Sequence, residues 1–138
     1  MRFTTVLITT IILAELLTSP ALAIQPSNFE KTYTGSWTNT FDSCGPVGQT
    51  GILTVQLNQI KRNGTVSTAV ITFSDASAMF GSGKITKSGS SRKLKIDYSG
   101  GGKSWYRLTG KITKHAITGV YIHTTKKCYW GGDVTLAS

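Results

Sequence analysis

The chain has 138 residues, of which 15 are Lys or Arg and six are Asp or Glu, so its net charge at pH 7 is +9. This length excludes two independent hydrophobic cores and indicates one domain. The small number of acids argues against a catalytic carboxylate pair, and the excess of bases favours weak, salt-dependent attraction to anionic surfaces.

Residues 1–23 have the pattern of a secretory signal peptide. Arg2 is the positive start, residues 6–17 are the apolar segment, and residues 21–23 form a small-x-small cleavage site. The apolar segment is interrupted by Glu15 and is shorter than the ~20 residues of a transmembrane helix. The sequence therefore predicts no membrane span and a secreted protein, extracellular or periplasmic, whose mature chain begins at Ile24.

Residues 24–32 show no periodicity and are predicted to form a short leader. The β-barrel domain is predicted to span residues 33–138, where short alternating patterns are separated by turn signals and no helical period occurs. Eight strands are predicted, at residues 33–41, 52–60, 65–73, 84–87, 93–99, 105–113, 116–124 and 129–137.

The predicted connections alternate in length. Residues 42–51 and 74–83 form long loops, whereas 61–64, 88–92 and 113–115 form tight turns. Successive loops of an up-and-down meander fall at opposite ends, so both long loops are expected at one rim, together with residues 100–103 and 125–127. This asymmetry predicts a closed floor and a functional mouth.

The two cysteines, Cys44 and Cys128, are expected to form one disulfide, since an even count in an exported protein favours pairing. A metal site is the weaker alternative, because no histidine has a matching spacing. The pairing requires the first and last strands to lie side by side. The predicted fold class is therefore all-β, an eight-stranded antiparallel up-and-down β-barrel, whose interior holds packed side chains or one small ligand.

The first strand carries an unusual combination of side chains. Gly35, Trp37 and Asn39 are two residues apart and share one face, while hydroxyl side chains occupy the other. An amide that faces a core needs hydrogen-bond partners or costs free energy. Either protein groups or a ligand must satisfy Asn39.

These residues resemble the first strand of the avidin and streptavidin family, which reads Gly-x-Trp-x-Asn with a Ser four residues later. Gly35, Trp37, Asn39 and Ser43 stand in those places, and the stretch 131–133 is similar to the family's last strand. The resemblance implies an avidin-like, calycin-like barrel that binds biotin or a related ureido compound in its mouth.

The resemblance also implies roles for individual side chains. Asn39 and Ser43 would donate hydrogen bonds to the ureido carbonyl, and Asp133 would accept one from an N–H group. Periodicity adds Leu108 as a pocket residue of the sixth strand and leaves Trp105 outside or at the rim. The expected aromatic walls are Trp37, Tyr98 and Tyr121.

The loop between the third and fourth strands corresponds to the ligand lid of the family. Its candidate residues are Ser74, Ser77, Met79 and Phe80. Met79 and Phe80 are expected to anchor the lid over the ligand, and the alternative is that they plug the mouth.

The sequence departs from the family pattern at several places, among them Tyr121, which stands where the family has a pocket Trp at the end of the seventh strand. Val70 stands near the position of a third-strand Tyr, and Tyr98 near that of a strand-five Trp. Thr125 falls near the Trp that a neighbouring subunit lends in family tetramers. The resemblance leaves a homo-oligomer open.

The same residues also allow simpler interpretations that involve no ligand site. Asn39, Ser43 and Asp133 could satisfy backbone groups at the rim, and Trp37 could be a core residue. A barrel with a filled interior would act through its basic outer face on an anionic partner, or as a protein inhibitor through its rim loops. Specific nucleic-acid binding is not predicted, because no exposed aromatic platform is interleaved with the basic residues.

No catalytic pattern is recognised. His115 and His123 lack an accompanying nucleophile or carboxylate, and the acids do not pair. The sequence predicts no enzyme, no cofactor and no metal, with biotin as the suspected ligand.

Overall fold

Alternating apolar and polar side chains build eight antiparallel strands. The computed structural model describes residues 23–99 and 104–138. The signal peptide predicted for residues 1–23 therefore lies outside the described residues except for Ala23, and so does the predicted rim segment 100–103. The strands are β1 (Thr32–Asp42), β2 (Thr50–Ile60), β3 (Thr65–Phe73), β4 (Met79–Ser88), β5 (Ser91–Ser99), β6 (Trp105–Ile112), β7 (Ala116–Thr124) and β8 (Tyr129–Ala137).

The sheet closes into a barrel because β1 pairs with both β2 and β8. Trp37 lies opposite Val134, and Gly35 lies opposite Leu136. A disulfide joins Cys44, just after β1, to Cys128, just before β8. The predicted eight-stranded antiparallel barrel and its single disulfide are confirmed.

Branched aliphatic side chains fill the barrel below the mouth. Within the described strands they alternate with exposed polar residues, as expected for a sheet that has one face packed in the core and the other in solvent. The buried residues at the centre of this core include Leu53, Val55, Leu57, Ile71, Ile85, Leu94, Ile96, Leu108, Ile117 and Leu136.

Residues 24–32, predicted as a leader, pack against the floor of the barrel. Ile24 and Phe29 are buried, and the Ile24 amide donates to the Arg62 carbonyl at 3.0 Å. Between them lies a three-residue 3-10 helix, Pro26–Asn28. No helix among the described residues is long and apolar enough to cross a bilayer.

Strand β4 begins five residues earlier than predicted, at Met79 instead of residue 84. Gly81 and Gly83, which look like turn signals in the sequence, are strand residues that lie against β5. A Cβ atom at either glycine would overlap a β5 carbonyl oxygen. Glycine therefore permits close strand contact here, and the predicted long loop shortens to residues 74–78.

Candidate functional site

The mouth of the barrel holds a cavity of about 290 Å³. It opens at the rim that carries the loops 43–49 and 74–78. Six rings, two carboxyl groups and two amide side chains form most of its wall. The lining residues are Trp37, Asn39, Asp42, Gln49, Phe73, Asp75, Ala76, Met79, Tyr106, Tyr121, His123 and Trp130.

Strand β1 supplies three of the lining side chains. Trp37 and Asn39 face the interior by ordinary alternation. A β-bulge follows, because the register of β1 against β8 shifts just after Asn39. A bulge inserts one extra residue and reverses the alternation. As a result Asp42 lies opposite Trp130 and lines the cavity.

Aromatic rings form one continuous cluster around the cavity. The Trp37 ring meets the Phe73 and Tyr121 rings edge to face, with centroids 5.7 and 6.0 Å apart. The His123 ring lies 5.3 Å from the Tyr121 ring and 5.1 Å from the Trp130 ring. Such pairs contribute about 0.5–1.5 kcal/mol each beyond area burial. Because each ring contacts others, the wall is held in place before any ligand arrives.

His123 belongs to this wall as a neutral imidazole. The residue is 7% exposed, and its Nε2 shares a 2.8 Å hydrogen bond with the Tyr98 hydroxyl. Burial lowers the pKa of His123 to about 4 and raises the pKa of Tyr98 above its usual value. At pH 7 the imidazole therefore carries no charge.

Two polar atoms in the wall are buried without a hydrogen-bond partner among the described residues: the Oδ1 of Asn39 and the Nε1 of Trp37. The Nδ2 of Asn39 donates to Asp42 Oδ2 at 3.3 Å, and Asp42 Oδ1 accepts from the Cys44 amide at 2.8 Å. The contacts of Asp42 fix the orientation of the Asn39 amide. The Oδ1 of Asn39 is a hydrogen-bond acceptor, and leaving it buried without a donor costs roughly 1–3 kcal/mol.

The cavity is acidic although the protein is basic. Asp42 and Asp75 line it, and no Lys or Arg belongs to its lining among the described residues. Burial, and then the charges of Asp42 and Asp75, raise the pKa of Tyr121 to about 12. The mouth therefore disfavours an anionic group.

The structure does not bring the three predicted ureido-binding residues together. The Ser43 Oγ accepts from the Tyr129 amide at 2.9 Å and holds β1 against β8 at the rim. Asp133 is exposed, with the outward-facing Thr38 and Val120 on either side. The prediction that Ser43 and Asp133 converge with Asn39 is wrong, because the bulge displaces Ser43 and alternation turns Asp133 outward.

Two other predicted pocket residues face the interior but do not line the cavity. Tyr98 lies behind His123, to which it is hydrogen-bonded. Leu108 is 1% exposed and belongs to the filled core. Both therefore support the site from outside it, whereas Trp37 and Tyr121 are placed at its wall as expected.

The predicted lid residues divide between the cavity and the outer surface. Met79 is buried and lines the cavity, while Phe80, one residue on in β4, is 64% exposed on the outer side. The Ser74 Oγ accepts from the Ile52 amide at 3.2 Å, and Ser77 is exposed. Phe80 neither anchors a lid nor plugs the mouth, and Asp75 and Ala76 contribute the loop's part of the wall.

Several lining residues were missed although alternation could have found them. Val134 and Leu136 face the core, so Trp130, an even number of positions away, shares their face. Tyr121 likewise implies an interior His123. Asp42 gave no such signal, since a bulge is needed to turn it inward.

The arrangement is suited to binding a small molecule. It offers aromatic walls, one oriented amide acceptor and two carboxylates, and no cluster of three or more metal-ligating side chains occurs in residues 23–99 and 104–138. Comparisons of the chain with protein-family models, with curated proteins and with solved structures give no match.

Proposed function

We propose that the protein binds a small, flat molecule with an N–H group in the mouth cavity, and that a cyclic urea such as that of biotin is the leading candidate. The observation that carries this proposal is the buried Asn39 Oδ1, which has no partner among the described residues. A ligand N–H donating to this oxygen would remove the cost of leaving it unmet.

The size and walls of the cavity support a compact ring. Its volume of about 290 Å³ is at the lower end of the range for ligand pockets. Trp37, Phe73 and Tyr121 would cover the faces of a ring and exclude water from the hydrogen bond to Asn39. The cavity therefore suits the bicyclic head of biotin better than a long, flexible ligand.

The charges of the mouth favour a neutral form of that ligand. Asp42 and Asp75 would repel the carboxylate of free biotin near the rim. Biotin amide presents the same ring system without the negative charge. We expect the amide to bind more tightly than the acid, with a difference that shrinks as salt screens the rim.

Calorimetric titration with the amide and the acid tests the proposal. Asn39→Leu keeps the approximate side-chain volume but removes the acceptor, and we expect it to weaken amide binding roughly 10- to 100-fold, as for a lost buried hydrogen bond. Asp133→Asn, on the outer face of β8, is the control, and it should leave the affinity unchanged.

Two results would contradict the proposal. One is the absence of heat and of thermal shift with either compound at millimolar concentration. The other is a loss in Asp133→Asn as large as that in Asn39→Leu, which would place the binding site elsewhere.

A further inference from the structure

Four lysines stand unneutralised on the outer face of β4, β5 and β6. Lys84 lies directly opposite Lys95, and Lys93 lies directly opposite Lys111. Like charges opposite each other on a sheet are destabilising. The one ion pair among the described residues joins Arg107 to Asp97, so no acid relieves these contacts there. An anion that lies across the strands would relieve the repulsion between these lysines.

The lysines border a groove of about 870 Å³ that runs across β4 to β7. Its floor is largely apolar and includes Gly110, Gly119 and the Val120 side chain, while Thr86 and Thr109 add hydroxyl groups. Lysine stems extend this apolar surface and keep their ammonium groups in water. The groove therefore pairs cationic sides with a floor against which the C–H faces of sugar rings can pack.

The groove continues into a second cavity near the floor of the barrel. Ser91 and Lys111 line both, and Arg92 and Lys114 line the second, whose volume is about 260 Å³. The Nη1 of Arg92 is buried with no hydrogen-bond partner in the described part of the chain. We call the combined surface of Lys84, Lys93, Lys95, Lys111, Arg92 and Lys114 the basic track.

We propose that the basic track binds a linear sulfated polysaccharide, with one anionic group near Arg92 and others along the lysines. This partner is independent of the mouth ligand, because the track lies on the outer face and at the opposite end of the barrel. Sulfate groups supply the charge, and sugar rings suit the floor.

The composition of the groove favours this partner over two other polyanions. No aromatic residue lines the groove across β4 to β7, and Phe29, which lines the second cavity, is only 5% exposed, so nucleic-acid bases would find little stacking surface. Val120 is the one exposed large apolar side chain of the groove, which gives a lipid surface little to anchor.

The test measures binding of a size-defined heparin oligosaccharide at about 0.15 M salt. Lys93→Gln/Lys95→Gln removes two charges from the track. Lys126→Gln/Lys127→Gln removes two exposed charges from the loop after β7 and is the matched control. We expect a loss of roughly tenfold or more for the track variant and of less than about threefold for the control.

The track variant should also show a shallower dependence of log K on log salt, because fewer counterions are released. Its melting temperature should not fall, since the change removes opposed like charges. Asn39→Leu should bind the oligosaccharide like wild type, which separates this site from the mouth cavity.

Equal losses of affinity in the two double variants would show that binding depends only on the net charge of the protein. That result would overturn the proposal. Tighter binding of single-stranded DNA or of anionic vesicles than of the oligosaccharide, at the same salt, would overturn the assignment of the partner.

Discussion

The variant Cys44→Ala/Cys128→Ala should have a free energy of unfolding about 3–4 kcal/mol below that of wild type. The disulfide joins residues separated by 84 positions. In the chain-entropy model, a loop of this length restricts the unfolded chain by up to ~4–5 kcal/mol, and residual structure reduces the value. Urea denaturation measures the difference, and the m-value should rise because the uncrosslinked chain exposes more surface.

The native barrel should change little in that variant. Ser43 and Tyr129 lie beside the disulfide and exchange two hydrogen bonds of 2.9 Å across β1 and β8. These bonds keep the register at the rim without the sulfur bridge. The aromatic bands of the near-ultraviolet circular dichroism spectrum and the affinity for the proposed mouth ligand should therefore match wild type.

Reduced wild type provides the control, since it should lose the same stability without any change of sequence. Unfolding free energies within about 1 kcal/mol of each other for oxidised and reduced protein would show that the unfolded chain gains little freedom. Loss of the native spectrum in water would instead show that the bridge, not the strand pairing, closes the barrel.

The closure of the barrel could be predicted because it follows from two local signals. Period-two alternation defines the strands, and Cys44 and Cys128 stand at strand ends that must adjoin for a disulfide to form. The same alternation places Trp37 and Asn39 inside. Each of these inferences needs only neighbouring residues and one covalent constraint.

The wall of the cavity could be predicted only in part, because resemblance and alternation disagreed in β8. The resemblance pointed Asp133 into the mouth, whereas Val134 and Leu136 already assigned the interior face to the other set of positions. Alternation was the better guide, since burial of the apolar set stabilises the register. Alternation would also have identified Trp130 as an interior residue.

The bulge after Asn39 could not be read from the sequence. Nothing in residues 39–42 marks the extra residue, which becomes visible only when β1 is aligned with β8. Its consequence is chemical, because it places the Asp42 carboxylate in the cavity where the resemblance implied the Ser43 hydroxyl. The hydrogen-bonding groups of the mouth therefore depend on a pairing between the two ends of the chain.

Charge is divided between the two candidate binding surfaces. Acids line the mouth, while lysines and Arg92 line the outer track. A single net charge of +9 conceals this division. The sign of a ligand should thus decide where it binds, with cationic or neutral compounds in the mouth and polyanions on the track.

His123 should make the barrel less stable in mild acid. Its pKa is about 4 in the folded protein and 6.5 when exposed, so the unfolded chain binds more protons between these values. Stability is complete above pH 6.5 and falls as the pH drops through this window. At 1.36 kcal/mol per pKa unit, the loss between pH 6.5 and 4.5 should be roughly 2–3 kcal/mol.

The variant His123→Gln isolates this effect. Glutamine can hydrogen-bond the Tyr98 hydroxyl without titrating, so the variant should lose most of the pH dependence in urea denaturation between pH 6.5 and 4.5. His115→Gln, at an exposed turn position, should keep the wild-type slope. A wild-type slope that survived in His123→Gln would show that the acid sensitivity does not come from the imidazole.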